Sequence, residues 1–264
     1  MRDLFALLAL GLAIVSANCS SASARVSAAD YGNAGASLPA NASVPLAIRI
    51  NDAEGNPRLL SELISQPTVL LFADYTCHTL CGPVVAFVAS ALEQSGLRAG
   101  DQFRLLVIGL DPKDSMVDAA KMRHAHITKG SPLDRATEFV TADQATIQLL
   151  TSALNYRYYY DAPDDNYVHP AAAYVLDSSG RVARILTGLG LSAADMRLAL
   201  IEASAGKIGG FRDQVRLLCS AFDPAHGTYD LVIRRVLEIA TLVTILVLGG
   251  TISLLLLVGR RRAA

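Results

Sequence analysis

The segment ADYTCHTLCGP, Ala73 to Pro83, sets Cys77 and Cys81 four positions apart, directly after an apolar run. Thiols so placed can do one of three things: open and close as a disulfide, clamp a soft metal ion, or pack as inert side chains. Residues four apart share one helical face, and the first turn of a helix favours thiolate over thiol. Tyr75, Thr76, Gly82 and Pro83 around the pair mark a turn rather than a packed interior. Dithiol exchange of the thioredoxin kind uses two intervening residues, not the three found here.

A third candidate donor is His169, in DNYVHPAAAYVLDSSGRV. Two thiolates and one imidazole suit Cu(I), which accepts low coordination and prefers sulfur, and such a set also holds Cu(II). Zinc ordinarily takes a fourth ligand. Other polar residues read more plainly. His124 and His126 stand at i and i+2 on a helical stretch, face different sides, and read as surface histidines. His78, between the cysteines, either tunes them or faces solvent. Tyr156, Tyr158, Tyr159 and Tyr160 read as residues that pack a strand. Cys219 is an unpaired thiol, an auxiliary copper or redox group, or a packed residue, and His226 follows it closely in sequence.

The elements that must position Cys77, Cys81 and His169 follow from hydrophobic periodicity. LAIRI reads as a strand, LLSELI as a short helix and Thr68 to Thr76 as a buried central strand. LCGPVVAFVASALEQSG spaces its apolar residues as a helix, and Phe103 to Asp111 is a second buried strand, giving strand, helix, strand. A helix at SMVDAAKMRHAHITKG, a strand at EFVT, a helix capped by Asp143, a hairpin turned at Ser178-Ser179-Gly180 and a closing helix at SAADMRLALIEASAG complete the order. The predicted fold class is α/β, a thioredoxin-like sandwich with a central mixed sheet flanked by helices, plus one C-terminal transmembrane helix.

The chain has 264 residues, is 52% hydrophobic and carries a formal net charge of -1, which offers no global field for nucleic acid. Its apolar surplus lies at the two ends. Residues 1–22 read as a signal peptide with an approximate cleavage site, and an uncleaved anchor or a lipid on Cys19 are the alternatives. Residues 23–45, rich in Ala, Ser, Gly and Asn, read as a flexible tether. Residues 46–208 form the thioredoxin-like domain and 209–238 a juxtamembrane segment. Ile239 to Val258 is uncharged and about one bilayer long. Arg260, Arg261 and Arg262 behind it put residues 259–264 in the cytoplasm, so the expected location is a bacterial-type inner membrane with the domain on the periplasmic side.

TCHTLCGP, GLDPKDS at Gly109 to Ser115, and VHPAAAYVLDSSGR together resemble the landmark segments of the SCO/SenC proteins, thioredoxin-fold assembly factors for cytochrome c oxidase. The resemblance covers most of the globular domain. It implies Cys77, Cys81 and His169 as copper ligands, with Asp111 and Pro112 near the site and Asp111 as a second-shell group. The tail Leu217 to Leu231 resembles one found in some bacterial members that end in a membrane helix. The chain departs from the family pattern at Val168, where many members have Asp before the His, and at Gly82, which separates Cys81 from Pro83. Loss of that Asp removes a group that orients the imidazole, and Asp164 and Asp165 in the same loop are the candidates to compensate.

The function so implied is a membrane-anchored copper metallochaperone delivering Cu(I), or Cu(II), during cytochrome c oxidase assembly. Its partners would be the apo copper-site subunit of a membrane oxidase, a periplasmic copper donor, and the membrane through the C-terminal helix, with no nucleic acid. The alternative is a thiol-disulfide oxidoreductase that keeps oxidase copper-site cysteines reduced, Cys77 attacking and Cys81 resolving. A thiol peroxidase on this fold would place an Arg near its cysteine, and TCHTLC has none.

Overall fold

The structure, a computed structural model, describes residues 34–262 except 38, 40, 78, 79, 163, 164, 189, 190, 224–226 and 232. The expectations placed on the leader, on Cys19 and on His78, Asp164 and His226 therefore lie outside the described residues. In chain order the elements are β1 (Gly35–Ala36), β2 (Arg49–Asn51), β3 (Pro57–Leu59), α1 (Leu60–Leu63), β4 (Thr68–Ala73) and α2 (Cys81–Gln94). Next come β5 (Arg104–Gly109), α3 (Met116–His126), α4 (Pro132–Arg135), β6 (Thr137–Val140), α5 (Gln144–Ala153), β7 (Tyr156–Arg157), β8 (Tyr159–Asp161) and β9 (Asn166–Val168). The last are β10 (Ala172–Leu176), β11 (Val182–Thr187), α6 (Ala193–Ala203), α7 (Phe211–Cys219), β12 (Ser220–Asp223), β13 (Thr228–Leu231) and α8 (Ile233–Arg262).

A five-stranded mixed sheet in the order β11-β10-β4-β5-β6 forms the centre. Strands β4, β5 and β6 run parallel, and β10 and β11 run antiparallel to their neighbours. Every residue of β4 is buried, because both faces of the sheet are covered. Alternate residues serve the two sides: Val69, Leu71 and Ala73 pack with residues of α2, α3 and α6, whereas Leu70 and Phe72 pack with α1, α5 and Tyr156. This is the thioredoxin-like arrangement expected from the sequence. Asp143 caps α5 by accepting the Thr146 N–H at 2.7 Å, as its position before that helix predicts.

Two edges of the domain differ from expectation. Residues 34–45, assigned to a tether on composition, lie along the domain: Gly35–Ala36 pairs with Tyr156–Arg157, and Val44 donates its N–H to the Gly180 carbonyl at 2.9 Å. Val44 is only 3% exposed. Buried Ala42 and Val44, with backbone hydrogen bonds linking Ala42 and Val44 to the β10–β11 hairpin, outweigh the disorder that the small residues around them favour. At the other end the β12–β13 hairpin extends the domain beyond residue 208. Phe222 and Tyr229 pack on the main core, and the Tyr229 hydroxyl donates to Glu202 Oε2 at 2.7 Å.

The spanning helix expected at 239–258 is not met among the described residues, where no helix is long and apolar enough to cross a membrane.

Deleting residues 34–45 tests their place in the domain. Loss of the buried Val44 side chain alone costs at least about 1.5 kcal/mol, so a thermal melt of the shortened chain should show a midpoint lower by about 3 °C or more. An unchanged midpoint would return the segment to the role of a tether.

Candidate metal centre

Strand direction decides what meets at the C-terminal end of β4. Parallel pairing with β5 brings Asp111 and Asp114 to that end, and antiparallel pairing with β10, Ala173 opposite Leu71, brings the residues just before β10 there as well. His169 is one of those residues. Asp74, Tyr75 and Thr76 make the turn from β4, and Cys81 opens α2, which leaves Cys77 and Cys81 facing His169 across the end of the sheet.

The Cys81 Sγ lies 2.9 Å from His169 Nε2. On its other side the His169 ring meets Tyr156: Nδ1 is 2.8 Å from the Tyr156 hydroxyl oxygen and 3.3 Å from the Pro170 carbonyl oxygen. The Tyr156 hydroxyl itself donates to that carbonyl at 2.9 Å. All three contacts are satisfied only when Nδ1 carries the proton, and this leaves the Nε2 lone pair directed at Cys81. Burial pushes the His169 pKa below its ordinary value, which keeps the imidazole neutral near pH 7.

Both cysteines are thiols and are not joined as a disulfide. A hydrogen bond with Cys77, then burial, raises the Cys81 pKa far above that of an ordinary thiol. Against the helix end, which favours thiolate, stand the 3% exposure of Cys81, which removes the water that would solvate the anion, and the neighbouring sulfur, which opposes a second charge. The Cys81 proton sits among two acceptors, the Cys77 sulfur and His169 Nε2. Among the described residues no three His, Cys, Asp or Glu side chains form a ready-made group that could hold a metal ion. The structure joins Cys81 to each of its two neighbours without closing all three around one point.

Beneath the thiols lie buried acids that the sequence reading passed over. Asp74 accepts from the Thr76 N–H at 3.0 Å and the Thr76 hydroxyl at 2.9 Å through Oδ1, and from the Tyr167 N–H at 3.0 Å through Oδ2. One carboxylate therefore ties the cysteine turn to the β9 segment that ends at His169. Asp114 accepts the Tyr75 N–H at 2.9 Å with Oδ2, while its Oδ1 is buried with no hydrogen-bond partner. Burial, only partly offset by the Tyr75 N–H, pushes its pKa up to about 7. Asp111 is buried at the same rim and accepts the Lys113 N–H at 2.8 Å, and it adds to the negative field at Asp114. Among the described residues it makes no hydrogen bond to Cys81 or His169.

Other candidates resolve individually. Tyr156, read as strand packing, is also the group that orients His169, which supplies a partner despite Val168. Asp165 does not take that role: it accepts a hydrogen bond from Tyr160 and lies near Lys113. His126, read as a surface residue, packs against the first turn of α2, since a β-carbon on Gly82 would come within 2.3 Å of its Nε2. With His126 in that position, a larger residue at 82 would have to push the ring aside. His124 is exposed, as expected.

No family model matches the sequence, and no curated relative does. Solved structures do match. The chain resembles a candidate electron transfer protein of Aquifex aeolicus VF5 (21% identity, TM-score 0.57, covering 65% of this chain and 96% of that one). It also resembles BsSco, a member of the Sco family of cytochrome c oxidase assembly proteins in which a disulfide switch has been identified (19%, 0.52, 65% and 98%). A SCO1/SenC family lipoprotein of Bacillus anthracis matches at 17% identity and TM-score 0.51, over 62% of this chain and 97% of that one. These likenesses establish that the chain has the thioredoxin-like fold of the Sco structures, in agreement with the motif resemblance.

Two substitutions test the geometry. Tyr156→Phe keeps the ring packing on Phe72 and Tyr174 but removes the acceptor for Nδ1–H, at a cost of about 1 kcal/mol. Nitrogen-15 correlation spectra of the reduced protein should show one His169 tautomer, protonated at Nδ1, in the parent and a mixture in the variant. Asp114→Asn tests the buried acid. A carboxyl whose folded pKa is raised from 3.8 to about 7 holds its proton in the native state while the unfolded chain has lost it, so stability falls as pH rises across that window. Melting midpoints from pH 4 to 8 should decline in the parent more than in Asp114→Asn, and parallel curves would exclude the effect.

Proposed function

We propose that the chain is a copper metallochaperone that takes up Cu(I), and also Cu(II), on Cys77, Cys81 and His169. It would receive the ion from a periplasmic donor and pass it by ligand exchange to the apo copper-site subunit of a membrane oxidase during cytochrome c oxidase assembly. The observation that carries this reading is the 2.9 Å approach of the Cys81 sulfur to His169 Nε2, from positions 88 apart in sequence. A soft ion would replace the proton held between those two atoms, and Cys77 would complete the set by giving up its own proton, both protons passing to solvent. Shared fold with Arabidopsis thaliana ScoI, solved with copper bound (12% identity, TM-score 0.50), is consistent with this.

Membrane anchorage through α8 is part of the proposal. Leu242, Val243, Ile245 and Leu246 are each more than half exposed, so the described part of the helix is apolar on every side. A helix of that kind needs an apolar solvent. The uncharged sequence runs on to Val258 and is followed by three arginines, which supports a domain on the periplasmic face.

A second reading, thiol-disulfide exchange that keeps oxidase cysteines reduced, is favoured by the direct hydrogen bond between Cys77 and Cys81. Anaerobic titration of the reduced chain with Cu(I) against a chromophoric chelator separates the two. One ion per chain and a loss of affinity of at least about tenfold in His169→Ala support the chaperone. Uptake indifferent to that substitution, with the dithiol still reducing a test disulfide, supports the reductase.

A further inference from the structure

Helix α7 carries two surfaces of different kinds. Its inner side is fixed to the domain: Arg197 on α6 donates through Nε and one terminal nitrogen to the two Asp213 carboxylate oxygens, both at 2.7 Å. Asp213 also accepts the Gly210 N–H at 2.8 Å at the start of the helix. About half a turn away, Val215 and Leu218 share the outer side at a spacing of three, 38% and 64% exposed. Arg212, exposed, borders one edge of that side, while Arg216, also exposed, lies nearer Asp213, whose carboxylate it helps to stabilise. An apolar strip edged by an arginine turns away from the core.

The next hairpin fixes where that strip lies. Strand β12 leaves the end of α7, and antiparallel pairing sets its first residue, Ser220, opposite Leu231, the last of β13. Paired strands lie about 5 Å apart. The C-terminal end of α7 is therefore held beside the start of α8, whose exposed side chains from Ile239 onward are mostly apolar and carry no charge as far as Thr251. Arg234 and Arg235 stand in sequence between the hairpin and that apolar stretch, at the position where a chain enters a bilayer. The hairpin does not swing: Tyr229 donates its N–H to Asp195 and its hydroxyl to Glu202, Arg184 pairs with Glu202, and Arg184 stacks on Phe222.

We propose that α7 lies on the membrane surface, with Val215 and Leu218 in contact with lipid and Arg212 against anionic headgroups. The inference rests on the reading of α8 as the anchor. A basic amphipathic helix fastened to a domain on one side and to an anchor at its end has the chemistry of an interfacial helix. It holds the domain in one orientation to the bilayer, where the anchor alone would let it turn.

The chain has no tryptophan, so a single one introduced by substitution is an unambiguous probe. The full chain would be reconstituted in nanodiscs as Leu218→Trp, as Val215→Trp and as a control, Leu149→Trp, on the exposed side of α5. In discs containing phosphatidylglycerol, lipid brominated near the headgroup should quench the first two by about twofold or more and leave the control unchanged. Arg212→Glu should weaken the quenching. Leu218→Trp and Val215→Trp emission as red and as unquenched as the control, in chains that remain in the disc, would overturn the interfacial helix and leave the anchor standing. Blue-shifted emission without quenching would also overturn it, by showing a protein surface over the strip. Failure of the chain to float with lipid would remove the anchor and the inference together.

Discussion

Everything at the candidate centre depends on the antiparallel pairing of β10 with β4. Cys81 and His169 are 88 residues apart, and no local preference can hold two such side chains within contact. The sheet does so because both faces of β4 are buried. A slip of one residue in the β10 register would turn Tyr174 out of one core and Ala173 and Val175 out of the other. The hydrophobic pattern thus sets the position of the imidazole to within the precision of a strand register, and the short link from β10 back to His169 leaves little freedom to lose it. Chemistry at the end of the sheet follows from packing in its middle.

The polar groups around the thiols carry that precision the last few ångströms. Asp74 is fully buried, a costly place for a carboxylate, and it accepts three hydrogen bonds from two separate segments. Removing any of these segments would leave buried acceptors without donors, so the cysteine turn and the histidine segment hold each other in place. Tyr156 completes the same logic from the opposite face of the sheet. Its ring belongs to the core with Phe72 and Tyr174, and its hydroxyl sets the tautomer of His169. The imidazole is oriented by a group anchored in packing, not by an acid beside it in sequence.

This division explains what the sequence disclosed. Strands such as Thr68–Ala73 and Arg104–Gly109, and the helix opened by Cys81, were legible because continuous apolar runs and helical spacing are local signals. The three candidate donors were legible from residue type and from the motif resemblance. Tyr156, Asp74 and Asp114 were not, because their roles arise from contacts with residues far along the chain and their types alone suggest strand packing or a turn. His126 is a similar case: its seat against Gly82 depends on how α3 crosses α2. Residues 34–45 read as a tether on composition because what holds them, pairing of Gly35–Ala36 with β7 and of Ala42 to Val44 with the β10–β11 hairpin, lies in contacts far along the chain. The Cys81 pKa went the other way for a related reason, since a helix end was visible in the sequence and its burial was not.

The protonation of the two sulfurs bears on how the pair works in either role. Cys81, with its proton held by burial and by Cys77, is a poor nucleophile as it stands. Attack on a disulfide would therefore begin at the more exposed Cys77, with Cys81 resolving the mixed disulfide. For the proposed metal uptake the same proton would act as a selectivity device. An ion must bind sulfur strongly enough to displace it, which a soft monovalent ion does and a hard oxygen-seeking ion does not. The neutral His169, already presenting its Nε2 lone pair, asks for no further proton loss. A site that stays protonated until a soft ion arrives can hold its reduced thiols together without a metal and still release a bound ion when a competing set of thiolates and imidazoles is offered.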